Sequence, residues 1–140
     1  MKTSSGKAKG RRLQQLVANT VSKLLGIPWG ADELIRSREM GQSGVDVVLI
    51  GKALKKFPWS IECKNAENWS MHQWIQQAKD NRKENTNWLL ICGRNRTEPV
   101  VTLTLSAFMN LYQKYLQTLD DNDYLRNESN INLEKNNDPL

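Results

Sequence analysis

Between Lys9 and Leu25 the apolar residues Leu13, Leu16, Val17, Val21, Leu24 and Leu25 recur at steps of three and four, which sets them along one side of a helix. Gly26 supplies a stop and Pro28 discourages continuation. From Ile27 to Gly44 the periodicity fades among Gly, Pro and Ser, so this stretch is predicted to be a long loop with at most a helical turn near residues 31–34. Residues 45–50 and 59–64 have β-branched or apolar centres, and the short basic stretch from Gly51 to Pro58 joins them as in an antiparallel hairpin. Ser70 is placed to cap a helix reaching about Arg82, with Trp74, Ile75 and Ala78 facing inward. Residues 88–92 and 100–103 read as two further strands, and residues 105–116 as a closing helix. The order is helix, two strands, helix, two strands, helix, and the simplest packing is an α/β sandwich around a four-stranded mixed sheet.

Composition bounds this picture without changing it. Hydrophobic residues at 39% and charged residues at 25% of 140 suit one ordinary globular domain. That domain is expected over residues 9–117, behind a flexible basic N-terminus (1–8) and ahead of an acidic tail (118–140) expected to lack order. No apolar run approaches the roughly 18 residues of a membrane span, and Met1 to Gly6 carries no apolar signal region, so a protein of the cytoplasm, away from membranes, is the default. Cys63 and Cys92 lie inside apolar strands with no second ligand nearby, and the single His72 has no partner for a triad or a zinc site. Chemistry based on a histidine-activated nucleophile or on zinc is therefore disfavoured.

The net charge of +5 is unevenly spread. Residues 1–12 hold five Lys or Arg and no acid, residues 13–116 thirteen basic against nine acidic, and residues 117–140 two basic against six acidic. The body without its tail is near +9, a charge that attracts polyanions through counterion release.

The chemistry concentrates in two strands. Glu62 and Lys64 are two apart and share a face, while Cys63 points the other way. If the two strands pair antiparallel, Asp46 at the start of the first meets the end of the second, and two acids converge with one amine. These charges sit among Val45, Val47, Val48 and Ile61, where burial is costly unless they are paired or hold a metal. A purely structural salt bridge from Lys64 to either acid is one account. The other is a hard cation: Mg²⁺ prefers carboxylate oxygens and keeps waters, so Asp46, Glu62 and the main-chain carbonyl of Cys63 would form part of its shell. Lys64 would then steady a nucleophilic water and the charge that grows on a phosphate.

Gly44-Val45-Asp46 followed by Ile61-Glu62-Cys63-Lys64 resembles the D…E-x-K signature of PD-(D/E)XK nucleases, with Val45 in the place of the proline. Lys9-Gly10-Arg11-Arg12 at the opening of the first helix, Ser37, Ser43-Gly44 and Gln77 are similar to archaeal-type Holliday junction resolvases and their phage-encoded relatives, over roughly residues 9–112. The resemblance implies a restriction-endonuclease-like core and a Mg²⁺-dependent endonuclease, with Mn²⁺ able to substitute, that resolves branched DNA in recombination. It also implies a homodimer, since two symmetric cuts need two copies of one site. Gln77 matches a glutamine that touches the attacking water or the substrate. Where those resolvases carry a glutamate in the first helix, this chain has Leu13-Gln14-Gln15; Gln14 can hold a metal-bound water but brings no charge, which favours one metal over two. The same site could instead cut flaps, nicks or linear duplex, and the missing helix acid leaves room for a catalytically silent DNA-binding module.

Cations expected on DNA are Lys9, Arg11 and Arg12 at the helix start, Arg36 and Arg38 with Ser37 and Ser43 in the long loop, and Lys52, Lys55 and Lys56 in the hairpin connection. Trp74 and Trp88 are predicted to pack in the core. Trp29, Trp59 and Trp69 fall at loop or strand edges, where base stacking competes with partial burial or a subunit interface.

Overall fold

The apolar spacing of the first segment becomes α1 (Lys2–Leu25), whose inward line consists of Leu13, Gln14, Val17, Ala18 and Val21. Gly26 ends it in a left-handed conformation (φ 67°), and the N–H groups of Gly26 and Ile27 both donate to the carbonyl of Ser22. This computed structural model describes residues 2–39 and 43–136. The remaining elements are β1 (Ile35–Ser37), β2 (Val47–Leu49), α2 (Lys52–Lys56), β3 (Trp59–Asn65), α3 (Met71–Asn81), β4 (Asn87–Gly93), β5 (Val100–Thr102) and α4 (Leu105–Asn136).

The strands form one mixed sheet in the order β1-β2-β3-β4-β5. Neighbours are antiparallel except β3 and β4, which run parallel from Trp59 opposite Asn87 to Asn65 opposite Gly93. A parallel pair cannot be closed by a tight turn, and α3 provides the crossover. Alternation along β3 and β4 then sorts the side chains. Ile61, Cys63, Leu89 and Ile91 join Leu13, Val17 and Val21 of α1 in the main core. Leu90 and Cys92 are buried on the other face, where Cys92 touches Met71 of α3. Both cysteines are buried free thiols.

The architecture is the expected α/β sandwich with three differences. The sheet has five strands rather than four, because Ile35–Ser37 inside the expected loop pairs with Val47–Leu49. Three residues with one inward apolar side chain, Ile35, show no alternation for a sequence reading to detect. The hairpin connection contains a helical turn, α2, favoured by Ala53 and Leu54, with Ala53 fully buried. Helix also extends beyond both ends of the expected domain: α1 begins at Lys2, and α4 runs through the acidic segment to Asn136. Residues 105–136 contain no Gly or Pro, and side-chain pairs one turn apart, Gln117 to Asp121 and Tyr124 to Glu128, support the helix. Residues 1–103 and 104–140 form two separate compact units.

Candidate active site

The site begins where β2 stops pairing. Asp46 donates its N–H to the carbonyl of Ile61 at 2.9 Å, and Val47 lies opposite Ile61 in the ladder. Two residues further along β3 the partner strand has departed, and the Asp46 carboxylate takes its place: Oδ2 accepts the N–H of Cys63 at 2.7 Å. The chain can turn away there because Gly44 adopts φ 105°, a conformation side chains rarely tolerate. Arg38 braces the turn, donating from Nε to the carbonyl of Val45 at 2.6 Å.

Glu62, in the middle of β3, is almost fully buried, with only 3% of its side chain exposed. Its Oε1 lies 3.7 Å from Lys64 Nζ and its Oε2 accepts from Asn81 Nδ2 at 3.2 Å. Asn81 is the last residue of α3, so the crossover helix ties down the buried acid. Asp46, Glu62 and Lys64 thus meet as the strand period predicts. They floor a cleft of about 420 Å³ walled by Gly6, Gly10 and Gln14 of α1, Gln77 of α3, and Glu39, Ser43 and Asn65. Gln14 is itself buried and accepts a hydrogen bond from Ser37 Oγ at 3.2 Å.

The electrostatics of this pair are unbalanced. Burial, and then the neighbouring charge of Asp46, push the Glu62 carboxyl up to about 7, against the opposing pull of Asn81 and Lys64. Burial also raises Asp46, although the Cys63 N–H and the Lys64 charge favour its ionised form. A structural salt bridge is therefore present between Lys64 and Glu62, and the charges of Lys64 and Arg38 also favour ionised Asp46, yet burial still raises both acids. The same surroundings hold the Cys63 thiol well above its ordinary value, which suits packing rather than reactivity.

The other expected residues divide into those at the cleft and those away from it. Gln14, Ser43 and Gln77 line it. Arg11, Ser37 and Arg38 line an adjoining cleft. Lys9 meets the site through its carbonyl, which accepts from Asn65 at 3.4 Å. Arg12 is exposed, and Arg36 donates to the carbonyl of Glu33; neither lines the cleft. Lys52, Lys55 and Lys56 form the exposed side of α2, which follows the far end of β2, on the order of 15 Å of extended chain from Asp46. Sequence reasoning missed Glu39, Asn65 and Asn81. Only Asn81 left a signal, as a short amide at a helix end.

A carboxylate just ahead of one strand and a second on its neighbour, a lysine two residues beyond the second, and a mixed sheet between helices define a restriction-endonuclease-like nuclease core. A family model described as Phage putative PDDEXK endonuclease matches residues 5–139, and the chain belongs to this phage nuclease family. Membership implies DNA as the substrate. No curated protein and no solved structure matches the chain. Among the described residues no helix is long and apolar enough to cross a membrane.

Proposed function

We propose that the protein is a Mg²⁺-dependent endonuclease that hydrolyses phosphodiester bonds in branched DNA, with the four-way junction as its leading substrate. The observation that carries this reading is the buried Asp46–Glu62 pair with Lys64 on the floor of an open cleft. The donor set suits a hard cation: it is all oxygen, and burial penalises the ionised form of both acids despite the nearby Lys64 and Arg38, a penalty that a bound cation would offset. Among the described residues no three His, Cys, Asp or Glu side chains could cage an ion, so water would have to complete the shell. Asp46, Glu62 and the carbonyl of Cys63 would hold it. That carbonyl leaves β3 on the same edge as the N–H bonded to Asp46. When bound, Mg²⁺ or Mn²⁺ supplies charge against the phosphate and a more acidic water.

The chain's own groups do the rest. Lys64 holds the attacking water in line and offsets the charge developing on the phosphoryl oxygens. Gln77 orients that water or the neighbouring phosphate from α3, and Gln14 fixes a further water from α1 where a third acid would otherwise stand, so one metal suffices. Two cuts placed symmetrically across a junction call for a homodimer. Residues 88–92 are committed to the middle of the sheet, whereas α4 exposes Leu105, Phe108, Met109 and Tyr112 as a surface for a second copy.

Labelled four-way junction, flapped duplex and linear duplex, each with Mg²⁺ or EDTA, test the proposal. Wild type is expected to cut the junction only with metal. Asp46→Asn and Lys64→Ala should cut at least about a hundredfold more slowly while still binding. Preferential cleavage of flapped or linear duplex would replace the junction as substrate. Metal-independent binding with no cleavage of any substrate would identify a silent DNA-binding module.

A further inference from the structure

Two clefts lie side by side along the first turns of α1, and the nuclease reading uses only one. Gly6, Gly10 and Gln14 line the first; Lys7, Arg11 and Gln15, each one position further on, line the second. The second has a volume of about 530 Å³ and is closed by Trp29 and by Ser37, Arg38 and Glu39. The clefts share Glu39, and the hydrogen bond from Ser37 to Gln14 joins a wall of one to a wall of the other.

We propose that the second cleft receives an unpaired strand of the DNA substrate, with Lys7 and Arg11 on its phosphates and the Trp29 indole against a base. The proposal rests on the nuclease reading of the Asp46–Glu62 centre, whose scissile strand it continues, and not on the four-way junction: with its arms fully paired a junction offers no unpaired strand, so use of this cleft favours a flapped substrate.

Charge is the first argument. Lys7 and Arg11 are exposed, one helical turn apart, and neither forms an ion pair among the described residues. Like charges at that spacing repel, so the helix bears them at a cost that a polyanion would relieve. With Arg38 they make three cations in a cleft whose lining has one acid, Glu39.

The indole is the second. Trp29 packs one part of its side chain against the main core and lines the cleft with another. Its backbone is pinned to the start of β1, where Trp29 bridges to Ile35 and the N–H of Gly30 donates to the carbonyl of Ile35 at 3.0 Å. A rigid aromatic wall in a positive groove is a stacking platform for a nucleobase. In a duplex each base face is covered by its neighbours, so only an unpaired base can use such a wall. The volume is that of a small-ligand pocket and suits single nucleotides rather than a double helix.

Fluorescence anisotropy of the full-length protein in EDTA tests this, using labelled blunt duplex and the same duplex with a single-stranded flap. Trp29→Leu is expected to bind the flapped substrate about tenfold more weakly, the blunt duplex within about twofold of wild type, and Trp29→Phe to recover most of the loss. Equal loss on both substrates, or no loss on either, overturns the proposal. Circular dichroism reports whether Trp29→Leu is folded; if it is not, the double variant Lys7→Ala, Arg11→Ala decides by the same criterion. Asp46→Asn in the same panel keeps the two readings apart. It should bind the flap like wild type and fail to cut with Mg²⁺, and cutting by this variant would remove Asp46 from the cutting centre while leaving the flap preference as measured.

Discussion

Burying Glu62 beside Asp46 raises its carboxyl even with the Lys64 amine 3.7 Å away. The consequence for stability has a definite sign. The folded protein holds the Glu62 proton up to about pH 7, whereas the unfolded chain releases it near 4.5. Stability is therefore greatest below 4.5 as far as this group is concerned, falls as pH rises through that window, and stays reduced above 7. Glu62→Gln removes the charge and keeps the shape. In EDTA at pH 8 it should unfold at a higher urea concentration than wild type while losing cleavage, and an unchanged or lower midpoint would contradict this account. Metal binding opposes the same proton, so affinity for Mg²⁺ should weaken steadily below pH 7 in a calorimetric titration.

Elements position the site through their ends more than their middles. β2 contributes the residue just before its start, α3 its last residue, and the turn ahead of β2 depends on one glycine. At Gly44 a methyl group would lie 3.1 Å from the Arg38 guanidinium, a flexible group that can yield, but φ 105° remains strained for any side chain. Gly44→Ala is expected to cost on the order of 1–2 kcal/mol in urea unfolding and to slow cleavage by shifting Asp46. A variant of wild-type stability would show that the turn can relax. In α1 the expected apolar side divides: Leu13, Val17 and Val21 are buried, whereas Leu16 and Leu24 are exposed and border an apolar groove against β3 to β5. Helical spacing identifies a side of a helix; how far the sheet extends beneath it decides which residues are covered.

At the scale of the whole molecule, charge is segregated along the chain. Residues 117–140 carry two basic and six acidic groups, so removing them takes the net charge from +5 to +9. Deletion from Gln117 onward is expected to tighten binding to duplex DNA several-fold at low salt, with the difference fading as ionic strength rises in a filter-binding series. No change at low salt would mean that the segment's charge does not reach the DNA.

Much of this protein is readable one residue at a time. A period of two puts Glu62 and Lys64 on one face and Cys63 on the other, and steps of three and four build the inner side of α1; each is a local property carried by neighbours in the chain. What local pattern could not decide is every pairing across distance: that β3 lies parallel to β4, that Ile35–Ser37 is a strand at all, that the Asp46 carboxylate bonds the main chain of Cys63, and that Gln14, Glu39, Gln77 and Asn81 arrive around one buried acid. It also could not set Lys7, Arg11 and Trp29 around a second cleft, or carry α2 with its lysines to the far end of the sheet. Those outcomes depend on long-range contacts, whose energies are set by which surfaces meet when the sheet closes.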